Sequence, residues 1–309
     1  MVATLPPIAT DAPIPTWFGV GGPARRLAKP ETVAQLAQCL ELDPAALILG
    51  DGANLLVADA GVQPLVISLK QGEFEHFTIG QPDPRGNVLV DAGAGVHLFK
   101  LINATTDAGL AGLENLAGIP ACLGGAVVMN AGGKYGAIAD HIASVTVMDR
   151  ATRALTTLKR AQIDFGYRAS SIARSGAVVT AVQLRLKRSD PATVKRKLKE
   201  VTEYKKSTQP MSANSAGCAF KNPVLSTDLP GIAVAGSQVS AGMLIDRAGC
   251  KGMRHGTAEV STVHGNFITA AKGGKADDVI ALMRQVQAKV QAAFSVTLKP
   301  EVVIWGDTL

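Results

Sequence analysis

Aromatic residues are scarce in this chain: Phe, Trp and Tyr make up 4% of its 309 residues. Proteins that hold single-stranded nucleic acid stack bases on such rings, so nucleic acid is not an expected partner. Cysteine is sparse too. Cys39, Cys122, Cys218 and Cys250 stand far apart with no C-x-x-C pair. That spacing excludes a zinc ribbon and a disulfide framework, and makes a reducing compartment the default. No apolar run approaches the ~20 residues that cross a bilayer, which argues against membrane insertion. The N-terminal stretch MVATLPPIATDAPIPTW lacks a basic region followed by an apolar one. It reads as a Pro-rich, poorly ordered leader over residues 1–15, and the expected compartment is the cytoplasm. No Gly-Lys-Ser/Thr loop exists, since Gly273, Gly274 and Lys275 lead into Ala276. No internal repeat is visible.

Glycine, by contrast, is abundant at 32 residues, within a chain that is 47% hydrophobic, 18% charged and carries a net charge of +6. Tight turns and sites built from main chain are favoured, and the positive balance suits an anionic ligand such as a nucleotide. The densest basic run, Lys187 to Lys206, is mixed with acids and reads as a solvated helix face. The stretch GIPACLGGAVVMNAGG, residues 118–133, concentrates five glycines in an apolar context. It reads as too glycine-rich for a regular helix and suited to close approach of main chain to a flat or phosphate-bearing ligand. Taken alone it equally fits a buried turn between strands.

The pattern along the chain mixes helices, strands and hairpins irregularly. A helix follows Thr32, strands cover Ala46–Gly50, Pro64–Leu69 and Asn87–Gly93, and a helix spans Val96–Gly109. A hairpin follows at Ser144–Asp149 and Arg153–Leu158, then a strand at Ala177–Leu186. A helix opened by Asp190 and Pro191 runs to about Tyr204, and a late helix carries Val279, Met283, Val286 and Val290 on one stripe. This is an α+β pattern rather than one doubly wound sheet. The strand before Gly50-Asp51-Gly52 resembles the start of a dinucleotide fingerprint, but the third glycine and the long helix are missing.

Six stretches carry a resemblance. TWFGVGGPA, LGDGANLLV, GIPACLGGAVVMNAG and FGYR occur in that order, followed by GCAFKNP and PEVVIWG. Together they resemble the UDP-N-acetylenolpyruvoylglucosamine reductase (UDP-N-acetylmuramate dehydrogenase) family over nearly all of residues 16–306. The segment IDRAGCKGMRHGTAEVSTVHGNFI is similar to the compact subtype, which lacks an extra tyrosine-bearing loop. The resemblance implies a two-lobed FAD-binding fold of the vanillyl-alcohol-oxidase type with a smaller C-terminal α+β substrate domain. The corresponding boundaries are 16–84 and 85–203 for the two lobes and 204–309 for the substrate domain.

The same resemblance implies FAD and NADPH as cofactors, a UDP-sugar enolpyruvyl ether as substrate, and a role in peptidoglycan precursor synthesis; a monomer is the expectation. It places the FAD diphosphate against Gly50, Asp51, Gly52, Ala53, Asn54 and Leu55, and against Gly118, Ile119, Gly124, Gly125 and Asn130. Successive backbone N–H groups in turns hold phosphates without basic side chains. Val20, Gly21 and Gly22 are secondary candidates. Hydride passes from the flavin to C3 of the enolpyruvyl group, and C2 takes a proton. Arg168 matches the family arginine that stabilises the enolate, and its planar fork stays charged. Glu301 matches the family carboxylic acid. Cys218 stands where the family usually has serine as proton donor to C2. A thiol with the ordinary pKa of ~8.5 is protonated at neutral pH and can donate. Ser215 is the fallback donor. Tyr167, Lys206 and Asn222 are the substrate-binding candidates, with Lys221 as an alternative to Lys206. His97, His141, His255 and His264 have no metal spacing and read as structural or surface groups. The competing readings are another FAD-dependent oxidoreductase on the same fold, such as an oxidase of small alcohols, or a non-catalytic flavin- or nucleotide-binding protein.

Overall fold

The computed structural model describes residues 4–210 and 213–306. Seven helices are assigned in it: α1 (Val33–Leu42), α2 (Leu98–Asp107), α3 (Leu123–Val128), α4 (Ser171–Ser175), α5 (Pro191–Thr208), α6 (Ala241–Arg247) and α7 (Ala276–Phe294). The chain divides into two compact units. One comprises the segment ending at Ala12 together with Ala24–Asp51 and Gln63–Lys205. The other comprises Pro13–Pro23, Gly52–Val62 and the chain from Lys206 onward. The mixed α+β composition is as expected from sequence.

The first unit is built on two sheets. In the smaller, the strand order is Ile8–Ala12, Ala24–Ala28, Val62–Ser68, Leu47–Leu49. The first pair is antiparallel and the last parallel. The larger sheet is antiparallel throughout, in the order Leu155–Lys159, Ile142–Met148, Val178–Arg188, Asn87–Gly93, Phe77–Ile79. The short strand Leu110–Ala111 pairs with the end of Val178–Arg188. Alternation explains the central strands. In Val178–Arg188, Val182, Leu184 and Leu186 face the core while Arg185 and Lys187 face water. A strand with one apolar face stays in register because a one-residue slip would expose the whole set. The strand Ile8–Ala12 corrects the expectation of a disordered leader, whose first three residues lie outside the described ones. Pro6, Pro7, Pro13 and Pro15 flank the five-residue ladder rather than interrupt it, and prolines at the ends of an edge strand remove no needed donor. The Arg25–Asp11 ion pair at 3.1 Å spans that edge.

A second correction concerns the glycine-rich stretch, which contains the six-residue helix α3. Leu123, Ala126 and Val127 bury there, and that burial outweighs the poor helix propensity of two glycines. Gly124 is required by packing, because a Cβ on it would lie 2.9 Å from the Ala94 Cβ.

The second unit gathers segments that are distant in sequence. The three-residue strand Leu55–Val57 pairs in parallel with Val303–Trp305. A three-stranded antiparallel sheet joins Arg254–His255, Ala258–Val260 and Ile268–Ala270. Its core brings together Phe18, Leu56, Phe220, Ile245 and the α7 stripe of Val279, Met283, Val286 and Val290. Burying each such side chain contributes roughly 1.5–3 kcal/mol. The N-terminus of α7 has no cap of its own from Lys275. Asp59 supplies it instead, accepting from the Ala276 and Asp277 amides at 2.9 and 3.1 Å.

Candidate functional site

In the first unit, the second glycine-rich turn is linked to the FGYR hairpin by bonds between side chains and main chain. Phe165–Gly166 pairs with Ala169–Ser170, leaving Tyr167 and Arg168 at the tip. Arg168 sits at φ 51°, a left-handed conformation that costs a non-glycine residue on the order of 1 kcal/mol. The hairpin is docked at three points. Arg168 Nη1 donates to the Gly132 carbonyl at 2.8 Å. Ser170 Oγ donates to the Val128 carbonyl at 2.7 Å. Asn130, itself at φ 44°, donates from Nδ2 to the Gly166 carbonyl at 2.9 Å and accepts from the Ala139 amide at 3.4 Å. Asparagine tolerates that backbone region better than most residues. The end of the second turn and the arginine therefore form one assembled piece. Asn130 serves it as a bridge between main chains.

Around this piece lies a group of cations and tyrosines. The Arg168 guanidinium stands 5.6 Å from the Tyr167 ring centroid. Tyr135 and Tyr204 meet edge to face at 5.6 Å. Lys134 Nζ lies 4.5 Å from the Tyr204 ring, and Lys197 Nζ lies 4.5 Å from the Tyr135 ring. Lys205 is the lysine of this unit that feels Arg168. Burial first, and the guanidinium second, push its ammonium down from 10.5 to about 8. Sequence reading had singled out its neighbour Lys206, which is exposed and belongs to the second unit. The helical phase of α5 decides which of two adjacent lysines turns inward, and a run of lysines in sequence does not reveal it.

The first turn begins in this same unit. Asp51 accepts from Lys70 Nζ at 2.7 Å, and its other oxygen lies 3.1 Å from His97 Nε2. Gly50 packs on Cys122: a Cβ on it would lie 3.5 Å from the Cys122 Cβ. In the second turn, Gly118 takes φ +70° and the Ile119 amide donates to the Leu116 carbonyl at 3.1 Å. Gly125 differs from Gly124: a Cβ there would meet nothing within 4 Å. Among the described residues the Gly125 amide has no protein acceptor.

The second unit holds the remaining candidates. Gly52 takes φ +65°, and a Cβ there would lie 2.0 Å from the Pro15 carbonyl oxygen, so only glycine fits. Among the described residues the Gly52 and Ala53 amides also lack protein acceptors. Asn54 is engaged on both sides. Its Nδ2 donates to the Glu301 carbonyl at 3.1 Å, and its own carbonyl accepts from Val303 at 3.0 Å. Leu55 then enters its strand, buried. Gly21 and Gly22 are explained by packing, since Cβ atoms on them would lie 2.4 Å from the Val57 carbonyl oxygen and 2.3 Å from that of Asp59.

The GCAFKNP and PEVVIWG motifs run side by side in this unit. The Glu301 amide donates to Ala219 at 2.8 Å, Lys221 donates to Lys299 at 2.8 Å, and Phe220 bridges Pro300. On the other flank, Cys218 bridges Phe267 and the Ala219 amide donates to Asn266 at 2.8 Å. Asn266 fixes the segment further: Oδ1 accepts from the Phe220 amide at 3.0 Å and Nδ2 donates to the Phe220 carbonyl at 2.7 Å. Asn266 was not read from sequence, because its partners are main-chain atoms 46 residues away. Cys218 is partly exposed, whereas Glu301 is buried at 9% exposure and Ser215 at 7%. Asn222 accepts from the Ala241 amide at 2.9 Å and so helps to start α6. Among the described residues no cluster of metal-ligating side chains occurs, and no helix is long and apolar enough to cross a membrane.

Unpartnered amides at sharp glycine turns are donors that suit a diphosphate. They accord with a family model described as an FAD binding domain, which matches residues 24–157. The chain is thus an FAD-binding protein of α+β architecture. A second model, UDP-N-acetylenolpyruvoylglucosamine reductase, C-terminal domain, matches residues 209–305. The UDP-N-acetylenolpyruvoylglucosamine reductase of Desulfosudis oleivorans is 38% identical over 303 residues, covering 94% of this chain and 92% of that one. The Thermus thermophilus protein of the same name is 42% identical over 275 residues, covering 89% and 92%. The crystal structure of that reductase from Thermus caldophilus superposes with a TM-score of 0.76 at 40% identity, covering 94% of this chain and 95% of the other. This chain belongs to the UDP-N-acetylenolpyruvoylglucosamine reductase family.

Proposed function

We propose that this chain reduces the enolpyruvyl ether of UDP-N-acetylglucosamine-enolpyruvate to UDP-N-acetylmuramate, a step in peptidoglycan precursor synthesis, with NADPH as reductant. Family membership supports the reaction, and one observation carries the residue assignment: the Glu301 amide pairs with the Ala219 carbonyl at 2.8 Å. That bond sets the thiol-bearing and carboxyl-bearing segments beside each other in a buried setting.

FAD would be held by the main chain of Gly50–Leu55 and of Gly118, Ile119, Gly124, Gly125 and Asn130. When bound, FAD supplies the hydride relay from NADPH to C3 of the substrate. The side chains do the rest. As C3 gains hydride, charge develops at C2 and on the attached carboxylate. The Arg168 guanidinium is held in a left-handed turn and aimed by Gly132, and it stabilises that charge without changing protonation. The Cys218 thiol gives its proton to C2 and recovers it from solvent. The Glu301 carboxyl, carried on main chain that Ala219 and Asn54 hold, orients the same region. Tyr167, Lys206 and Asn222 contact the sugar and diphosphate. The four cysteines are free thiols, which accords with a reducing, cytoplasmic setting; a monomer is the working state.

The test is anaerobic. The purified protein is yellow, NADPH bleaches the flavin, and the enolpyruvyl substrate restores the colour with formation of the lactyl ether. Rapid recovery by oxygen with no recovery by the substrate sinks this reading in favour of an oxidase. Absence of any NADPH-driven bleaching favours a non-catalytic flavin protein.

A further inference from the structure

A carboxylate beside a diphosphate-binding turn is unfavourable unless its charge is compensated, because like charges repel. Asp51 occupies such a position, directly before Gly52. Its side chain is 10% exposed and engaged by two groups, Lys70 Nζ at 2.7 Å and His97 Nε2 at 3.1 Å. Burial alone pulls the Lys70 ammonium down, but the Asp51 carboxylate more than offsets this and holds it above its usual range. The Asp51–Lys70 pair is therefore internally neutral.

The histidine has a defined tautomer. His97 is the N-cap of α2, and its Nδ1 accepts from the Phe99 amide at 3.2 Å. The proton of the neutral ring is thus on Nε2, which donates to Asp51. The main chain of His97 is also tied to the second glycine-rich turn. It forms an antiparallel bridge with Cys122, flanked by Leu98 N to Ala121 O at 2.8 Å and Leu123 N to Val96 O at 2.9 Å. Gly50 closes the arrangement by packing on Cys122. Burial first, with the Asp51 charge nearby, pushes the Cys122 thiol up to about 12, so it remains a neutral packing group.

We propose that Asp51, Lys70 and His97 form a positioning brace that fixes the Gly50–Asp51 start of the first flavin-binding turn relative to the second turn, and that FAD retention depends on it. Asp51 acts through His97 and Lys70 and need not touch the cofactor with its side chain. The proposal rests on the flavin reading above.

Asparagine at position 51 is nearly isosteric but presents one acceptor oxygen to two donors. One donor then faces an amide NH2. His97 has no escape by tautomer exchange, since Nδ1 is committed to Phe99. Asp51→Asn is expected to weaken FAD binding to the flavin-stripped full chain by about tenfold to a hundredfold, the scale of one lost buried, charge-assisted hydrogen bond. His97→Ser keeps a capping oxygen for α2 but lacks the Nε2 donor, and loses affinity similarly. The double variant is no worse than the poorer single one, as expected for residues of one network. Amide exchange accelerates at 50–55 and 118–125 but not along the central strand Val178–Arg188, a local signature that general loss of stability would not give. Wild-type affinity in Asp51→Asn, or fully additive losses, overturns the brace. Failure of the wild-type chain to bind FAD overturns the flavin reading instead. If Asp51→Asn does not fold, His97→Ser alone decides: unchanged FAD affinity there also ends the proposal.

Discussion

The Glu301 amide lies 2.8 Å from the carbonyl of Ala219, the residue after Cys218. A buried glutamate and a partly exposed cysteine thereby stand on adjacent segments that are more than eighty positions apart in sequence. Asn54 closes the arrangement from a third segment by holding the Glu301 carbonyl at 3.1 Å. The three segments are short, and none would hold its conformation alone. Their order comes from mutual pairing on top of the Phe18, Leu56 and Phe220 core. The Cys218 thiol is thus presented by a fixed backbone, and its consequence is open to direct measurement.

Cys218→Ala removes the proposed proton donor while leaving the paired backbone in place. Flavin reduction by NADPH is expected at the native rate, with reoxidation by the enolpyruvyl substrate slowed about 10²- to 10⁴-fold, the usual contribution of a positioned acid. Cys218→Ser retains most of the rate. Ser215→Ala leaves reoxidation unchanged, since Ser215 is buried at 7% exposure. Stopped-flow absorbance resolves the two halves, and native reoxidation in Cys218→Ala removes the thiol from the mechanism.

Arg168→Lys keeps the charge but loses the fork and the Gly132 bond at 2.8 Å. An ammonium is a point charge and cannot bond Gly132 and a carboxylate in one plane. Reoxidation by substrate should fall by about 10²- to 10³-fold, the scale for removing one charge-stabilising donor. The melting temperature should change little. A lysine variant as fast as the native enzyme would show that charge alone suffices.

The elements that were legible in sequence are those whose period reports burial. The α7 stripe was legible from its apolar spacing, the helix expected over Val96–Gly109 contains the observed Leu98–Asp107, and the strand expected over Ala177–Leu186 overlaps the observed Val178–Arg188. The strand pair Leu55–Val57 and Val303–Trp305 carries no such signal, since three residues cannot display a period and the partner is remote. The helix α3 was hidden by its two glycines, of which Gly124 is required by Ala94 and Gly125 by no protein neighbour. At the site, the motifs are what nominate the main-chain turns, Arg168, Cys218 and Glu301. They did not reveal Lys70, His97, Asn266 or Lys205, whose roles depend on tertiary neighbours.

Lys205 gives a pH signature. Its ammonium, held down by burial and then by Arg168, loses its proton near pH 8 in the folded chain and near 10.5 when unfolded. Between those values the unfolded state binds more protons, so stability contributed by this group rises with pH across the window. Below about 8 both states are protonated and the cost of the half-buried charge is fully present. Lys205→Met should therefore be more stable than the native chain at pH 7, with the difference shrinking toward pH 10.5. Urea midpoints of both chains across that range measure it. A constant difference would place Lys205 in water.

Gly125→Ala separates stability from cofactor binding. Gly125 lies in α3 with no positive φ, and a Cβ would meet nothing within 4 Å. Alanine in a helix is favoured over glycine by about 0.5–1 kcal/mol, because the unfolded glycine has more freedom to lose. The flavin-stripped variant should therefore melt later than the native chain. The same methyl enters the space beside an amide that has no protein acceptor among the described residues, where the phosphates are proposed to bind. FAD affinity should fall as stability rises, and Gly125→Val, bulkier and β-branched, should lose more affinity without the stability gain. The paired measurements are the thermal midpoint of the flavin-free protein and the FAD dissociation constant by fluorescence quenching. A raised midpoint with unchanged FAD affinity would mean that the space in front of Gly125 is solvent rather than cofactor, and the second turn would then have to be reassigned.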